Sequence, residues 1–149
     1  LYHWAGRLNK AGGAVIRELG IRGATDVTGF GLGGHLLEMA GSSGVDIELE
    51  SSLVPILPKA LELAGMGLIP AGSYANRNYC SKRLIVDQGV DNLLIDLIFD
   101  AQSSGGLILG VPETDVDRAR RMLLDAGDQA VAVGRVTGPA SHGGSLYLR

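Results

Sequence analysis

The stretch from Gly23 to His35, Gly-Ala-Thr-Asp-Val-Thr-Gly-Phe-Gly-Leu-Gly-Gly-His, constrains this chain more than any other. It sets one carboxylate, two hydroxyls and the glycines at 29, 31, 33 and 34 directly ahead of an amphipathic run. Glycine reaches positive φ at low cost and lets another group approach the backbone. Beyond it, Leu32, Leu36, Met39 and Ala40 fall on one helical face, which predicts a helix over about 32–41. Gly41-Ser42-Ser43-Gly44 stops it. A loop therefore feeds a helix N-terminus, where free N–H groups and the macrodipole favour an anion. Asp26 is the candidate ligand for a hard cation such as Mg²⁺, which prefers oxygen and is often shared between carboxylates and phosphates. The plainer reading stands beside this one: Thr25 and Thr28 bond the turn, Asp26 caps it, and nothing binds. The loop is not a Walker motif, because no Lys-Ser/Thr follows. It is not a dinucleotide fingerprint, since the acid precedes the glycines and no clear strand leads in.

A second polar loop, Ala101-Gln102-Ser103-Ser104-Gly105-Gly106, runs into the apolar stretch 107–111. That stretch reads as a buried strand, over about 106–111, and the loop alone reads as a turn.

Taken together, the two motifs resemble one enzyme family. Thr25-Asp26-Val27-Thr28-Gly29-Phe30-Gly31 followed by Gly34-His35 is similar to the signature opening the C-terminal domain of selenophosphate synthetase (selenide, water dikinase). Gln102-Ser103-Ser104-Gly105-Gly106, about 75 residues later, resembles that family's second loop, usually Pro-Gln-Thr-Ser-Gly-Gly. Gly72 with Arg77-Asn78 resembles a Gly-x-x-x-Arg-Asn stretch with one residue added, and Gly134-Arg135-Val136 resembles a closing strand. Gly33 stands where the family usually has Leu, Ser103 where it has Thr, and Ala101 where it has Pro. None of these departures removes a charged or ligating group. A glycine at 33 is expected to loosen the first helical turn by up to about 1 kcal/mol.

The resemblance implies an enzyme that converts ATP, selenide and water to selenophosphate, AMP and phosphate with Mg²⁺. It implies that Asp26 helps hold Mg²⁺ at the ATP phosphates. It also implies that Thr25, Thr28, Gly29 and Gly31 lie on the phosphate side, and that Gln102–Gly106 gives support or closure rather than chemistry. The family's Gly-rich ATP loop, catalytic Cys or selenocysteine, Lys partner and most metal-binding Asp residues belong to an N-terminal domain and are not seen in this chain. Residues 1–149 are therefore expected to be one C-terminal domain of a longer enzyme, inactive alone. The expected partners are its own N-terminal ATP-binding domain and a second subunit of a homodimer. Two alternatives stay open: a non-catalytic scaffolding domain, or the equivalent domain of another enzyme of the aminoimidazole ribonucleotide synthetase-related superfamily.

Composition sets the outer bounds. A chain of 149 residues suits one domain burying roughly two-thirds of its unfolded surface. A net charge of −3 with 19% charged residues argues against a nucleic-acid binder held by phosphate contacts. The single Cys80 forms no internal disulfide and fits a reducing compartment, and no apolar run approaches membrane length. A cytoplasmic protein with no membrane partner is the expectation.

The coarse reading is α+β, a mixed sheet with helices over it. Helix is expected at about 2–19, where Leu1, Trp4, Ala5, Leu8 and Ala11 recur at helical spacing. Strand follows at 45–49, helix at Lys59–Gly65 opened by Pro58, and loop over Ile69–Ser81. The apolar run Asp91–Phe99 suits helix or strand, with helix favoured at first and loop by Asp100, and helix is expected again from Pro112 to Gly127 with Val116, Ala119, Met122, Leu123 and Ala126 inward. Val131–Val136 and Ser145–Leu148 are expected strands. His35 reads as a packed or capping residue rather than a catalyst, and Cys80 as unreactive. Asn76, Arg77 and Asn78 form a polar cluster able to touch phosphate or merely solvated. Asp46, Glu48 and Glu50 line a wet strand face.

Overall fold

A computed structural model describes residues 2–140 and 142–149. Helices α1 (Tyr2–Ala5) and α2 (Lys10–Leu19) lead into strand β1 (Gly23–Asp26), helix α3 (Gly31–Ser43) and strand β2 (Val45–Leu49). Helices α4 (Pro58–Gly65) and α5 (Ala71–Cys80) precede strand β3 (Leu84–Val86) and helix α6 (Asn92–Ile98). Strand β4 (Leu107–Gly110), helix α7 (Val116–Asp125), and strands β5 (Gly134–Pro139) and β6 (Leu146–Leu148) complete the chain.

The α+β expectation holds. Four strands form a mixed sheet in the order β3-β6-β2-β5, with β6 parallel to both β3 and β2, and β5 antiparallel to β2. The alternation in Val45–Leu49 buries Ile47 and Leu49, as a half-buried strand must. They join Leu146 and Leu148 of β6, Leu36, Leu37 and Ala40 of α3, and Ile95, Ile98 and Phe99 around α6 in the main core. A separate two-stranded ribbon pairs β1 with β4, Asp26 opposite Leu107 and Gly23 opposite Gly110. A second, smaller core gathers Val15 and Ile21 with Ala119 of α7, and Leu109 of β4 packs against it.

Several expectations need correction. The helix expected over 2–19 is two helices, broken over 6–9, and Leu8, in the break, is left 79% exposed. Leu1 lies outside the described residues. A strand does lead into the glycine loop: Asp26 is the last residue of β1, not a loop residue. The strand expected over 131–136 shifts to Gly134–Pro139, because β2 fixes its register, Leu49 opposite Gly134 and Val45 opposite Pro139. After Pro112 a 3₁₀ turn over Glu113–Asp115 precedes α7, and Ala126 ends exposed. The acidic face of β2 is ion-paired rather than simply wet: Glu48 meets Arg135 at 2.9 Å and Arg149 at 3.1 Å, and Asp46 accepts the Ser145 N–H at 2.8 Å.

The largest difference is at Ile69–Ser81, expected as loop and found as helix α5. Its inner face is polar, so hydrophobic periodicity misses it. Ser73 is fully buried and donates to Asp100 Oδ1 at 2.8 Å, and Arg77 pairs with the buried Asp96 at 2.8 Å. Among the described residues no helix is long and apolar enough to cross a membrane.

Candidate functional site

The two glycine motifs are one structure. The ladder of β1 and β4 ends at Asp26 and Leu107, but pairing continues beyond it. Val27 N–H donates to the Gly106 carbonyl, Gly105 N–H returns to the Val27 carbonyl, and Gln102 N–H reaches the Thr28 carbonyl, each at 3.0 Å. The Gln102–Gly106 segment thus holds the first loop in place through three main-chain bonds. Helix α5 adds a clamp. Asn76 Nδ2 donates to the Gly29 carbonyl at 2.9 Å and to the Phe99 carbonyl at 3.0 Å, tying the loop to the end of α6.

Gly31 turns the chain into α3. It sits at φ 69°, and its N–H donates to the Thr28 carbonyl at 2.9 Å. A Cβ there would lie 2.7 Å from the Asp100 carbonyl oxygen, so the position needs glycine for conformation and for space. At Gly33 a Cβ would meet the Phe99 ring at 2.7 Å. The expectation that Gly33 merely loosens the helix is corrected: Phe99, fully buried, occupies the room that a side chain at 33 would need.

The front of the loop is open. Asp26 and Gly29 are exposed, and Thr25 and Thr28 are half-buried. Thr25 Oγ1 donates to the Asp26 main-chain carbonyl at 3.1 Å, while the Asp26 carboxylate has no hydrogen bond or ion pair among the described residues. The N–H groups of Thr28, Gly29 and Phe30 likewise take no main-chain partner among the described residues. An unpaired carboxylate two residues ahead of unpaired N–H donors suits a cation bound to a phosphate. Among the described residues no three His, Cys, Asp or Glu side chains gather that could hold a metal. Asp26 by itself could offer a cation one carboxylate.

His35 is buried under the loop and bridges two polar groups. Its Nε2 lies 3.1 Å from Thr28 Oγ1 and its Nδ1 lies 2.9 Å from Glu38 Oε2. This agrees with a packed histidine. Phe30, 40% exposed, stacks on Tyr79 at 5.9 Å between ring centres and meets the His35 ring edgewise. Arg77 is not available to a ligand, because it neutralises Asp96. Asn76 is spent on carbonyls, and the Asn78 carbonyl accepts from Ser81. Asn76 and Arg77 thus act as a brace, while the Asn78 side chain is exposed. Cys80 is buried, and burial pushes its thiol pKa up, with Glu38 adding to the rise and Arg83 opposing it. A thiol held protonated is a poor nucleophile.

A surface concavity of about 500 Å³, between α2 and α7, is lined by Ala14, Arg17, Glu18, Arg118 and Met122 and contains none of the loop residues. The sequence reading missed Asp100, Ser73 and Glu38. Glu38 was legible as the i+3 neighbour of His35. Asp100 and Ser73 meet only through the packing of α5 on α6.

Residues 8–146 match the family described as AIR synthase related protein, C-terminal domain. The chain belongs to this family. It is 54% identical over all 149 residues to a selenide, water dikinase of Nitratidesulfovibrio vulgaris (strain DSM 19637 / Miyazaki F), covering 43% of that protein. It is 45% identical over 145 residues, 95% of this chain and 41% of the relative, to the selenide, water dikinase of Caldanaerobacter subterraneus subsp. tengcongensis. It is 42% identical over 130 residues, 87% of this chain and 37% of the relative, to that of Clostridioides difficile (strain 630). The chain spans less than half the length of these curated relatives.

Proposed function

We propose that this chain is the C-terminal domain of a longer selenide, water dikinase, an enzyme forming selenophosphate, AMP and phosphate from ATP, selenide and water. The carrying observation is the 54% identity to such an enzyme over all 149 residues. The exposed, unpaired carboxylate of Asp26, at the end of β1 and next to a loop fixed from two sides, gives that identity a chemical meaning.

In this reading Asp26 supplies one oxygen ligand to Mg²⁺ at the ATP phosphates, and an N-terminal ATP-binding domain supplies the others. Bound there, Mg²⁺ neutralises phosphate charge and aligns the group being transferred. The chain's own contribution is placement. The Gly29 backbone is exposed and the Thr28–Phe30 N–H groups are left for phosphate oxygens, with Thr25 beside them. Gly31 gives the turn that aims this edge outward. The second loop and Asn76 keep the edge rigid, so little reorganisation accompanies binding. The longer enzyme is proposed to act as a homodimer in the cytoplasm.

The test is selenide-dependent AMP formation by the longer protein, wild type beside Asp26→Asn, with Mg²⁺ varied. Activity lost in the variant and partly recovered at high Mg²⁺ supports both the reaction and the metal role. Activity indifferent to Asp26 reduces the domain to a scaffold. AMP formation without selenide dependence points to another enzyme of the superfamily.

A further inference from the structure

We propose that His35 and Glu38 are positioning residues that fix the Thr28 hydroxyl as a hydrogen-bond acceptor, aimed at a cation or its bound water rather than at a phosphate oxygen. The inference rests on the metal–phosphate reading above and assigns a division of labour within that site.

The argument is a count of protons. An ionised carboxylate can only accept, so at 2.9 Å from Glu38 Oε2 the His35 Nδ1 carries the hydrogen. In its neutral form the imidazole has one N–H, so Nε2 is then bare and accepts. Its partner at 3.1 Å is Thr28 Oγ1, whose hydroxyl has a single proton. That proton is committed inward to His35. Toward the loop mouth Thr28 presents lone pairs only. A phosphate oxygen is also an acceptor and gains nothing from them. A hard cation, or a water polarised by one, does. Phosphate oxygens are then left to the unpaired N–H groups of Thr28, Gly29 and Phe30, and the hydroxyl joins Asp26 on the cation's side. The ring is buried and meets Phe30 edgewise, and its two polar contacts to Thr28 and Glu38 both favour the orientation found. Glu38 is exposed, so it can be replaced without opening the core.

Two measurements test this. The first is the tautomer of neutral His35 in the ¹⁵N-histidine-labelled chain, read from long-range nitrogen–proton correlations and assigned by its loss in His35→Gln. The expected wild-type form is Nδ1–H. Glu38→Ala is expected to shift it toward Nε2–H, and Glu38→Gln, whose amide oxygen still accepts, to keep Nδ1–H. An Nε2–H ring or a doubly protonated ring in the wild type overturns the proposal. The second is the Mg²⁺ concentration needed for binding a non-hydrolysable ATP analogue by the longer protein. Glu38→Ala should raise that concentration about 10-fold, with Glu38→Gln close to wild type. An unchanged requirement in Glu38→Ala also overturns it. Loss of selenide dependence beside an intact Mg²⁺ response would remove the proposed reaction and leave this assignment standing.

Discussion

Within one run of residues the glycine motif has two unlike halves. The front, Thr25 to Gly29, ends a strand with its carboxylate exposed and unpaired, and a Cβ added at Gly29 would meet nothing. The back, Gly31 to His35, is buried but for the partly exposed Leu32, and is pressed onto residues 98–100 so closely that side chains at 31 and 33 would collide. Glycines that look alike in the sequence thus answer to different forces. At the back, Gly31 and Gly33 are demanded by the packing of α3 on the end of α6 and Gly34 by the Phe30 side chain, and only the front has room for a ligand. A rigid back is also what holds the front still.

The contrast can be broken by substitution. Gly31→Ala should have the largest effect. A positive φ costs a non-glycine residue about 1–3 kcal/mol and overpacking adds a similar amount, so a loss of about 4 kcal/mol is expected in urea unfolding. A loss below about 1 kcal/mol would show that the loop relaxes. Asp26→Asn should do the opposite. Its stability should stay within about 0.5 kcal/mol of wild type, while turnover of the longer protein falls about 100-fold, or about 2.8 kcal/mol of activation free energy.

Gly33→Leu sharpens the packing half. About 2 kcal/mol should be lost with Phe99 in place, and at least about 1 kcal/mol less in a Phe99→Leu background, read as a double-mutant cycle. Additive effects would mean that Phe99 is not what excludes the side chain. Asp91→Ala removes the N-cap of α6, where the carboxylate accepts the Leu93 N–H at 2.9 Å, and should cost about 1 kcal/mol in the same assay.

The smallest effect is expected at Cys80. Burial raises its pKa in the folded chain, so the folded state binds the thiol proton more tightly than the unfolded state does. That contribution is fully present below the ordinary thiol value and is lost as pH rises through the folded value. The wild type should therefore lose more stability than Cys80→Ala over the alkaline range, by less than about 1 kcal/mol. Equal slopes would mean that the thiol is not shielded from water.

Legibility followed the physics of each segment. Helix α3, strand β2, α4 and α7 were readable because apolar periodicity and punctuating Gly and Pro mark them locally. Helix α5 was not, because Ser73, Asn76 and Arg77 spend their polar groups on Asp100, the loop carbonyls and Asp96, all distant in sequence. The break in the first helix was hidden for the converse reason: Leu8 has helical spacing but no surface to pack against. Asp26 and the glycines were visible as a motif. Which glycines face a ligand and which face Phe99 was not.

By itself the sequence determined the family, the α+β class, and the candidate carboxylate with its neighbouring hydroxyls, because these are carried by residue types in fixed local order. The tertiary structure decided the rest. It joined the two loops by main-chain bonds across about 75 residues, committed Arg77 and Asn76 to bracing, and brought the Thr28 hydroxyl within 3.1 Å of His35 Nε2. Hydrogen bonds and steric exclusion act over a few ångströms in space, and chain order alone does not say which groups come that close.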